Sequence, residues 1–317
     1  MSIKINKLNS FLLHSSFFIL LWFAFSISES SFAQDVPPNT KKKGDFVSQD
    51  AVELNKIKQL KVKTRIKYAA NYDLSGKMVP KKIAMKEVFN KKGLLTLREE
   101  YNGMGNVVAK YLFTYDSKNN PIKAESIESD GRTALQVSKY DSRGNEIERS
   151  INEKRRNKTG SKMLFKYDKD DNLIETKDFN NNKLSDILTT TYSVGKRIGS
   201  IVKDEKGNTL LTITPEYDSN GKLIKETRKN SSVNVIYTYK YDSKGNLIEM
   251  VDDETKRYYN YDEKGNVTEH KMYLLDGRRQ LRLVFKYGSN GLQNEVLRFD
   301  NNEKPVLNTS FVYEYYK

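Results

Sequence analysis

Tyr237 to Val251 reads YTYKYDSKGNLIEMV, and near copies of this stretch recur along the chain. Tyr259 to His270 reads YNYDEKGNVTEH, and further copies read FKYDKDDNLIET, SKYDSRGNEIER and PEYDSNGKLIKE. In each copy a Tyr is followed by an Asp, and a Gly or a substitute for it stands four residues after the Tyr. Gly tolerates the positive φ of a tight hairpin, and Asp accepts hydrogen bonds from the amides of its own turn. We therefore interpret the motif as a hairpin turn rather than a reactive site.

The spacing of these motifs predicts the fold class. Tyrosines that open such turns stand 20 to 27 residues apart, with weaker turn signals between them. A reversal about every 12 residues leaves strands of about six to eight residues and no room for helices between them. We predict an all-β, antiparallel meander of about 18–20 short strands from tandem YD-type hairpins, in a curled or spiralling sheet. The clearest turns are predicted at Asp141, Gly144, Asp218, Gly221, Asp242, Gly245, Asp262 and Gly265.

Alternation along the strands predicts which side each residue faces. Mostly aromatic residues stand two before the Tyr, and mostly Ile stands seven after it. Residues one before and eight after the Tyr are polar or charged, so each hairpin has one apolar face and one charged face. His270 falls in a column of mixed residue types nine after the Tyr, which favours a structural role. The predicted core columns contain Phe113, Phe165, Tyr239, Tyr259, Phe285 and Phe311, followed by Ile122, Ile147, Ile174, Ile224 and Ile248.

The N-terminus is predicted to be a targeting segment. Lys4 and Lys7 precede the apolar run FFILLWFAF, and small residues occupy the cleavage-determining positions of SFA, which ends at Ala33. Residues 1–33 are therefore predicted to be a signal peptide for Sec export, cleaved after Ala33, and residues 34–50 a flexible linker. A membrane anchor is the alternative interpretation of the same segment. The mature chain is expected to be periplasmic or extracellular, without a transmembrane span and, since it has no Cys, without disulfides.

Residues 51–317 are predicted to form a single β-repeat domain, with the clearest repeats in residues 101–317. One short helix is expected within SQDAVELNKIKQL, with Asp50 as its N-cap. The strand after it alternates, and its cations share one predicted face that can contact an anionic ligand. These candidate contacts are Lys61, Lys63, Arg65 and Lys67.

The motif copies YDSKGNLIE, YDEKGNVTE, YDSRGNEIE and YDSNGKLIK resemble the YD repeat, also called the RHS repeat. The resemblance covers about residues 101–317 and implies a spiralling β-sheet. The chain looks more like the short secreted YD-repeat proteins of the Bacteroidota type than like the large members of the family. The largest members of the family form hollow shells around a toxin segment, but this chain has neither a DPxG-type motif nor a toxin domain. Encapsulation and self-cleavage are therefore not implied.

The sequence contains little that predicts catalysis. One His in the mature chain and no Cys argue against the usual transition-metal sites and against a Ser–His–acid set. The carboxylates of DKDDN at 168–172 and DDE at 252–254 lack the spacing of a calcium loop. Glutamates that recur at equivalent repeat positions give no basis for choosing a catalytic pair. No catalytic, cofactor-binding or metal-ligating residue is predicted, and no cofactor.

We expect an exported, non-enzymatic repeat protein that acts as a binding or structural module at the cell envelope or outside the cell. Its expected partner is a protein or polysaccharide of the envelope rather than a specific nucleic acid, and the chain is expected to be a monomer. The net charge of +14 leaves anionic polymers open as ligands. Two alternatives remain: a polysaccharide-acting hydrolase with an unidentified carboxylate pair, and a glycan- or anionic-polymer-binding protein.

Overall fold

The computed structural model describes residues 49–154 and 160–317. The predicted signal peptide, its cleavage after Ala33 and most of the predicted linker lie outside these residues. The last two linker positions, 49–50, already belong to a helix, α1, which spans Gln49–Gln59. The described residues also form twenty strands: β1 Val62–Asn71, β2 Lys82–Phe89, β3 Leu95–Tyr101, β4 Val107–Tyr115, β5 Pro121–Glu128, β6 Thr133–Tyr140, β7 Glu146–Lys154, β8 Ser161–Tyr167, β9 Leu173–Asn180, β10 Lys183–Ser193, β11 Lys196–Asp204, β12 Thr209–Tyr217, β13 Leu223–Lys229, β14 Asn234–Tyr241, β15 Leu247–Val251, β16 Thr255–Tyr261, β17 Val267–Leu274, β18 Arg279–Tyr287, β19 Gln293–Phe299 and β20 Pro305–Tyr315.

The strands confirm the predicted all-β antiparallel meander, and they fall into two compact units. The middle unit comprises residues 114–126 and 132–234, in which β6 to β13 pair in sequence order. The terminal unit comprises residues 49–113, 127–131 and 235–317. In it β14 to β20 pair in order, β20 pairs with β1, and β1 to β4 continue the order. Among the described strands, the last is therefore hydrogen-bonded to the first.

The YD motif folds as a three-residue hairpin loop. At Asp242 the amide donates to the Asn246 carbonyl over 2.9 Å, and the Gly245 amide donates to the Asp242 carbonyl over 3.0 Å. This is a type I turn followed by a residue in the left-handed region, and Gly245 has φ of 92°. The equivalent residues also have positive φ: Asn119 69°, Gly144 86°, Asp171 61°, Gly221 82° and Gly265 79°.

A β-bulge follows most of these turns and overturns the predicted Ile column. Lys240 pairs with Glu249 but Tyr241 pairs with Leu247, so Ile248 is an extra residue without a partner in the ladder. An extra residue interrupts the inward and outward alternation of its strand. Ile147 and Ile224 are accordingly 39% and 38% exposed, so the prediction that this column belongs to the core is wrong. The same register shift occurs at Ile147, Ile174 and Ile224.

The bulge brings the residues nine after the Tyr, a column of mixed residue types, opposite the aromatic residues. Tyr239 pairs with Met250, and Tyr259 pairs with His270. We call this side of the strands the aromatic face and the opposite side the charged face. The column nine after the Tyr therefore completes the aromatic face, and its polar members make the interior partly polar. Its buried members are Ala124, Arg149, Thr176, Glu226, Met250 and His270.

Helix α1 packs on the terminal unit through an apolar cluster. Ile57, Val62, Phe89 and Leu292 are almost fully buried together. The predicted helix is therefore confirmed, but it begins at Gln49, so Asp50 lies inside it and is not its N-cap. Further along the helix, Glu53 Oε1 accepts a hydrogen bond from the Tyr313 hydroxyl of β20 over 3.0 Å.

Candidate binding groove on the charged face

The charged face carries a cross-strand ion pair at four of the hairpins. Lys240 Nζ lies 2.6 Å from Glu249 Oε1, at the positions one before and eight after the turn Tyr. Exposed pairs of this kind contribute about 0–1 kcal/mol each and are weakened by salt. Because of these ion pairs, the lysines concerned already have carboxylate partners. Equivalent pairs are Lys139 with Glu148 at 3.0 Å, Lys225 with Glu216 at 2.8 Å, and Lys286 with Glu295 at 2.5 Å.

Between β16 and β17 the charged face forms a shallow groove of about 440 Å³. The antiparallel register places residues of the two strands directly opposite one another, and the turn after β17 lines one end of the groove. Tyr and Lys therefore alternate both along each strand and across the pair. The three rungs are Lys256 with Tyr273, Tyr258 with Lys271, and Asn260 with Glu269.

Two tyrosine rings line this groove. The rings of Tyr258 and Tyr273 meet edge to face, with centroids 6.0 Å apart and planes at 75°. This contact orients both rings, since aromatic pairs favour edge-to-face geometry. Tyr258 is 36% exposed, so part of its ring is available to a ligand.

The charges of the groove are unevenly compensated. Glu269 accepts hydrogen bonds from Asn260 Nδ2 at 2.8 Å and Arg282 Nε at 2.8 Å, and Lys271 Nζ lies 2.9 Å away. Partial burial raises the pKa of Glu269, but the hydrogen bonds from Arg282 and Lys271 outweigh it, so its pKa lies below the usual range. Glu269 is thus a fixed carboxylate rather than a proton donor. No carboxylate of residues 49–154 or 160–317 forms an ion pair with Lys256.

The eight predicted turn residues lie at hairpin ends and none of them lines the groove. Asp242 accepts from the Asn246 amide through Oδ1 and from Asn246 Nδ2 through Oδ2, each at 2.8 Å. The side-chain hydrogen bond from Asn246 holds the pKa of Asp242 below its usual range. Sequence reasoning missed this Asn, although it follows the Gly in YDSKGN, YDEKGN and YDSRGN. It is buried in three of the turns, at Asn145, Asn172 and Asn266.

The four candidate anion contacts do not form one exposed face. Lys61 precedes β1, and a register shift between Val62 and Thr64 places Lys63 at a bulge, so the alternation of β1 changes there. Lys61 and Lys63 are exposed, whereas Arg65 and Lys67 are half-buried.

Arg65 is engaged in a buried ion-pair cluster. Its Nε donates to Glu87 Oε2 over 2.5 Å, and Arg98 Nη2 donates to Glu87 Oε1 over 2.7 Å. Burial raises the pKa of Glu87, but the two guanidinium groups outweigh it and bring the pKa to about 2. The assignment of Arg65 to an exposed cationic surface is therefore wrong, because its charge compensates Glu87.

The two acidic clusters noted in the sequence are turns. Asp168 Oδ1 accepts from the amides of Asp170 and Asn172, and Asp252 Oδ1 accepts from those of Glu254 and Thr255. Within the described ranges, no three His, Cys, Asp or Glu side chains are grouped as a metal site would require. No helix of that part of the chain is both long and apolar enough to cross a membrane.

No protein-family model and no curated protein sequence matches this chain. Among solved structures, a chain of the crystal structure of TcdB2-TccC3-Cdc42 is similar at 13% identity and a TM-score of 0.30, over 76% of this chain and 16% of that one. A porin-like protein from Bacteroides uniformis ATCC 8492 is similar at 11% identity and a TM-score of 0.35, over 79% of this chain and 97% of that one. The chain thus spans about a sixth of the length of the first of these two.

Proposed function

We propose that this chain is an exported, non-enzymatic repeat protein of the short secreted YD-repeat type. It acts as a binding module at the cell envelope or outside the cell. The observation that carries the proposal is the groove between β16 and β17, where exposed tyrosine and lysine side chains are held in a fixed arrangement by the strand register. Small-molecule and glycan sites combine apolar ring surface with a few placed polar groups in this way.

The composition of the groove favours binding over hydrolysis. Glycoside hydrolysis typically uses two carboxyl groups, one of which must donate a proton. Among the described residues, Glu269 is the one carboxyl group that lines the groove, and its ion pairs keep it ionised. This supports the binding module over a polysaccharide hydrolase.

The pairing of β1 with β20 affects whether these strands can pair with another chain. β1 is hydrogen-bonded to β2 on one side and to β20 on the other. A flat meander would leave its first and last strands as free edges, which invite pairing with another chain. Because β1 and β20 are paired with each other, neither offers a free edge at this point, which supports the proposal of a monomer.

Three measurements test the proposal: N-terminal sequencing, sedimentation with envelopes and an assay for reducing sugar ends. N-terminal sequencing of protein recovered from the native cells should give Gln34 as the first residue, and an intact Met1 would instead indicate an anchor.

The purified mature protein should also sediment with washed envelopes of those cells. The double variant Tyr258→Ala, Tyr273→Ala should sediment less, whereas Lys225→Gln, which changes a paired lysine of the middle unit, should behave as wild type. Equal sedimentation of all three proteins would contradict a role for the groove, and release of reducing sugar ends would contradict the non-enzymatic assignment.

A further inference from the structure

We infer that the groove between β16 and β17 takes an acidic polysaccharide, with Tyr258 packing against a sugar ring and Lys256 contacting an anionic group. The inference rests on the proposed function and names the ligand class of the same site.

The ring contact follows from the position of Tyr258. Its ring is partly exposed on the charged face and is held edge to face by Tyr273 on the neighbouring strand. A tyrosine ring has an apolar body and a polar tip, so it can pack against the C–H face of a sugar while its hydroxyl stays hydrated. The ring is already oriented in the free protein, which reduces the entropy lost on binding.

The anionic class of the proposed ligand follows from the charged side chains that line the groove. The negative charge of Glu269 is compensated by Lys271 and Arg282. Lys256 lines the same groove and forms no ion pair with a carboxylate of the described residues, so the groove has an ammonium group available to a ligand. A carboxylate or sulfate group on the polysaccharide would complete this pair, and the contact would be weakened by salt.

Two other polymers fit the site less well. A peptide could add as a strand only at a free sheet edge, but β16 is paired with β15 and β17, and β17 is paired with β18. A nucleic acid needs a run of cations along its phosphates, whereas nearby lysines of this face such as Lys240 and Lys286 are already paired with Glu249 and Glu295. An acidic polysaccharide, with sugar rings between its charges, matches both the ring of Tyr258 and the ammonium group of Lys256.

The test is equilibrium binding of the mature chain to polygalacturonate and to chondroitin sulfate, beside methyl-esterified polygalacturonate and poly-L-glutamate. We expect binding to at least one of the two acidic polysaccharides, with weaker binding to the ester, which keeps the backbone but lacks the charge. Lys256→Gln should weaken binding to the acidic polysaccharide about three- to fivefold, as expected for one exposed ionic contact. Tyr258→Ala should weaken it further, Tyr258→Phe should retain it, and Lys225→Gln should match wild type.

Several results would overturn the inference. They are equal affinity for the acid and its ester, equal affinity for poly-L-glutamate, no effect of Lys256→Gln, or no binding to either acidic polysaccharide. Circular dichroism of each variant establishes that it is folded, and Tyr258→Phe provides a ring-retaining variant if Tyr258→Ala is not. Groove-dependent sedimentation with envelopes, together with no binding to the acidic polysaccharides, would overturn the ligand class and leave the binding module standing.

Discussion

The Tyr261 hydroxyl donates a hydrogen bond to the Leu247 carbonyl over 2.7 Å. The acceptor stands six residues after Tyr241, which opens the preceding turn. The Tyr of the motif thus has a second role besides opening its own hairpin, since it connects that hairpin to the one before. Equivalent bonds join Tyr140 to Pro121 at 3.0 Å, Tyr287 to Val267 at 2.8 Å and Tyr313 to Gln293 at 2.6 Å.

Removing one such hydroxyl should destabilise the terminal unit. Tyr261→Phe leaves the Leu247 carbonyl without this donor, and we expect a loss of about 1 kcal/mol in the free energy of unfolding. The matched control is Tyr258→Phe, whose side chain is partly exposed in the groove and should change the free energy by less than about 0.5 kcal/mol. Urea unfolding of both variants measures the difference, and equal losses would contradict the role given to Tyr261.

The buried Asn of the turn should matter where it also joins elements. Asn266 Nδ2 donates to Asp262 Oδ2 over 2.8 Å, and its Oδ1 accepts from Lys56 of α1 over 2.7 Å. Asn266→Ala removes both bonds at a buried site, so we expect a loss of about 1–3 kcal/mol in unfolding free energy.

Asn208→Ala is the control for Asn266→Ala. Asn208 donates to Asp204 over 2.8 Å in the same turn geometry, but it is exposed, so water can replace the lost bond. We expect a change within about 0.5 kcal/mol. If chemical denaturation gives the same loss for both variants, the turn bond alone accounts for the effect, and the contact with Lys56 contributes nothing.

The sequence was informative where structure is local. The Asp and Gly of each turn act within five residues, so their spacing was sufficient to predict the reversals and the antiparallel meander. The Ile column was misplaced because a bulge such as the one at Ile248 shifts the register by one residue, and strict alternation cannot include it. Arg65 was assigned to the wrong face because a similar shift near Lys63 precedes it and because its partner Glu87 lies on another strand.

The groove could not be found from the sequence for a related reason. Lys256 and Tyr273 become neighbours only through the register of β16 on β17, which a bulge at Thr268 shifts by one residue. Each residue alone looks like an ordinary exposed strand position.

Gly93 should be needed for the docking of helix α1. It has φ of 76°, and a Cβ there would lie 2.7 Å from Lys58 Cα, which is backbone and cannot move without shifting the helix. Gly76 has a similar φ of 80° but nothing within 4 Å of the position of a Cβ. Gly76→Ala should therefore cost about 1 kcal/mol from backbone strain alone.

Gly93→Ala should cost more than Gly76→Ala, because the helix must move away in addition to the same strain. We expect faster proteolytic cleavage within α1 in Gly93→Ala, together with the larger loss in urea unfolding. Equal losses in unfolding free energy, with α1 equally protected from protease in both variants, would show that the close contact between Gly93 and Lys58 does not affect the docking of α1.

Stability should depend on pH through His270. This side chain is 2% exposed and stacks on Tyr259, with ring centroids 4.7 Å apart and planes at 7°. Burial and the nearby Arg257 guanidinium lower its pKa from 6.5 to about 4. The unfolded chain therefore binds more protons than the folded chain between these values. The stability that the neutral His270 contributes is fully present above pH 6.5 and is lost as the pH falls from 6.5 towards 4.

We expect the wild-type free energy of unfolding to fall by about 2 kcal/mol between pH 7.5 and pH 5 because of His270. His270→Met should abolish most of this fall, since Met occupies the equivalent position at Met250. Carboxylates with lowered pKa values, such as Glu87 with a pKa of about 2, lose their stabilising contribution mainly below pH 4.5, and they contribute equally in both proteins. Urea unfolding of both proteins across this pH range measures the difference. Since His270 is the sole histidine downstream of His14, an equal fall in the variant would mean that the buried imidazole does not resist protonation.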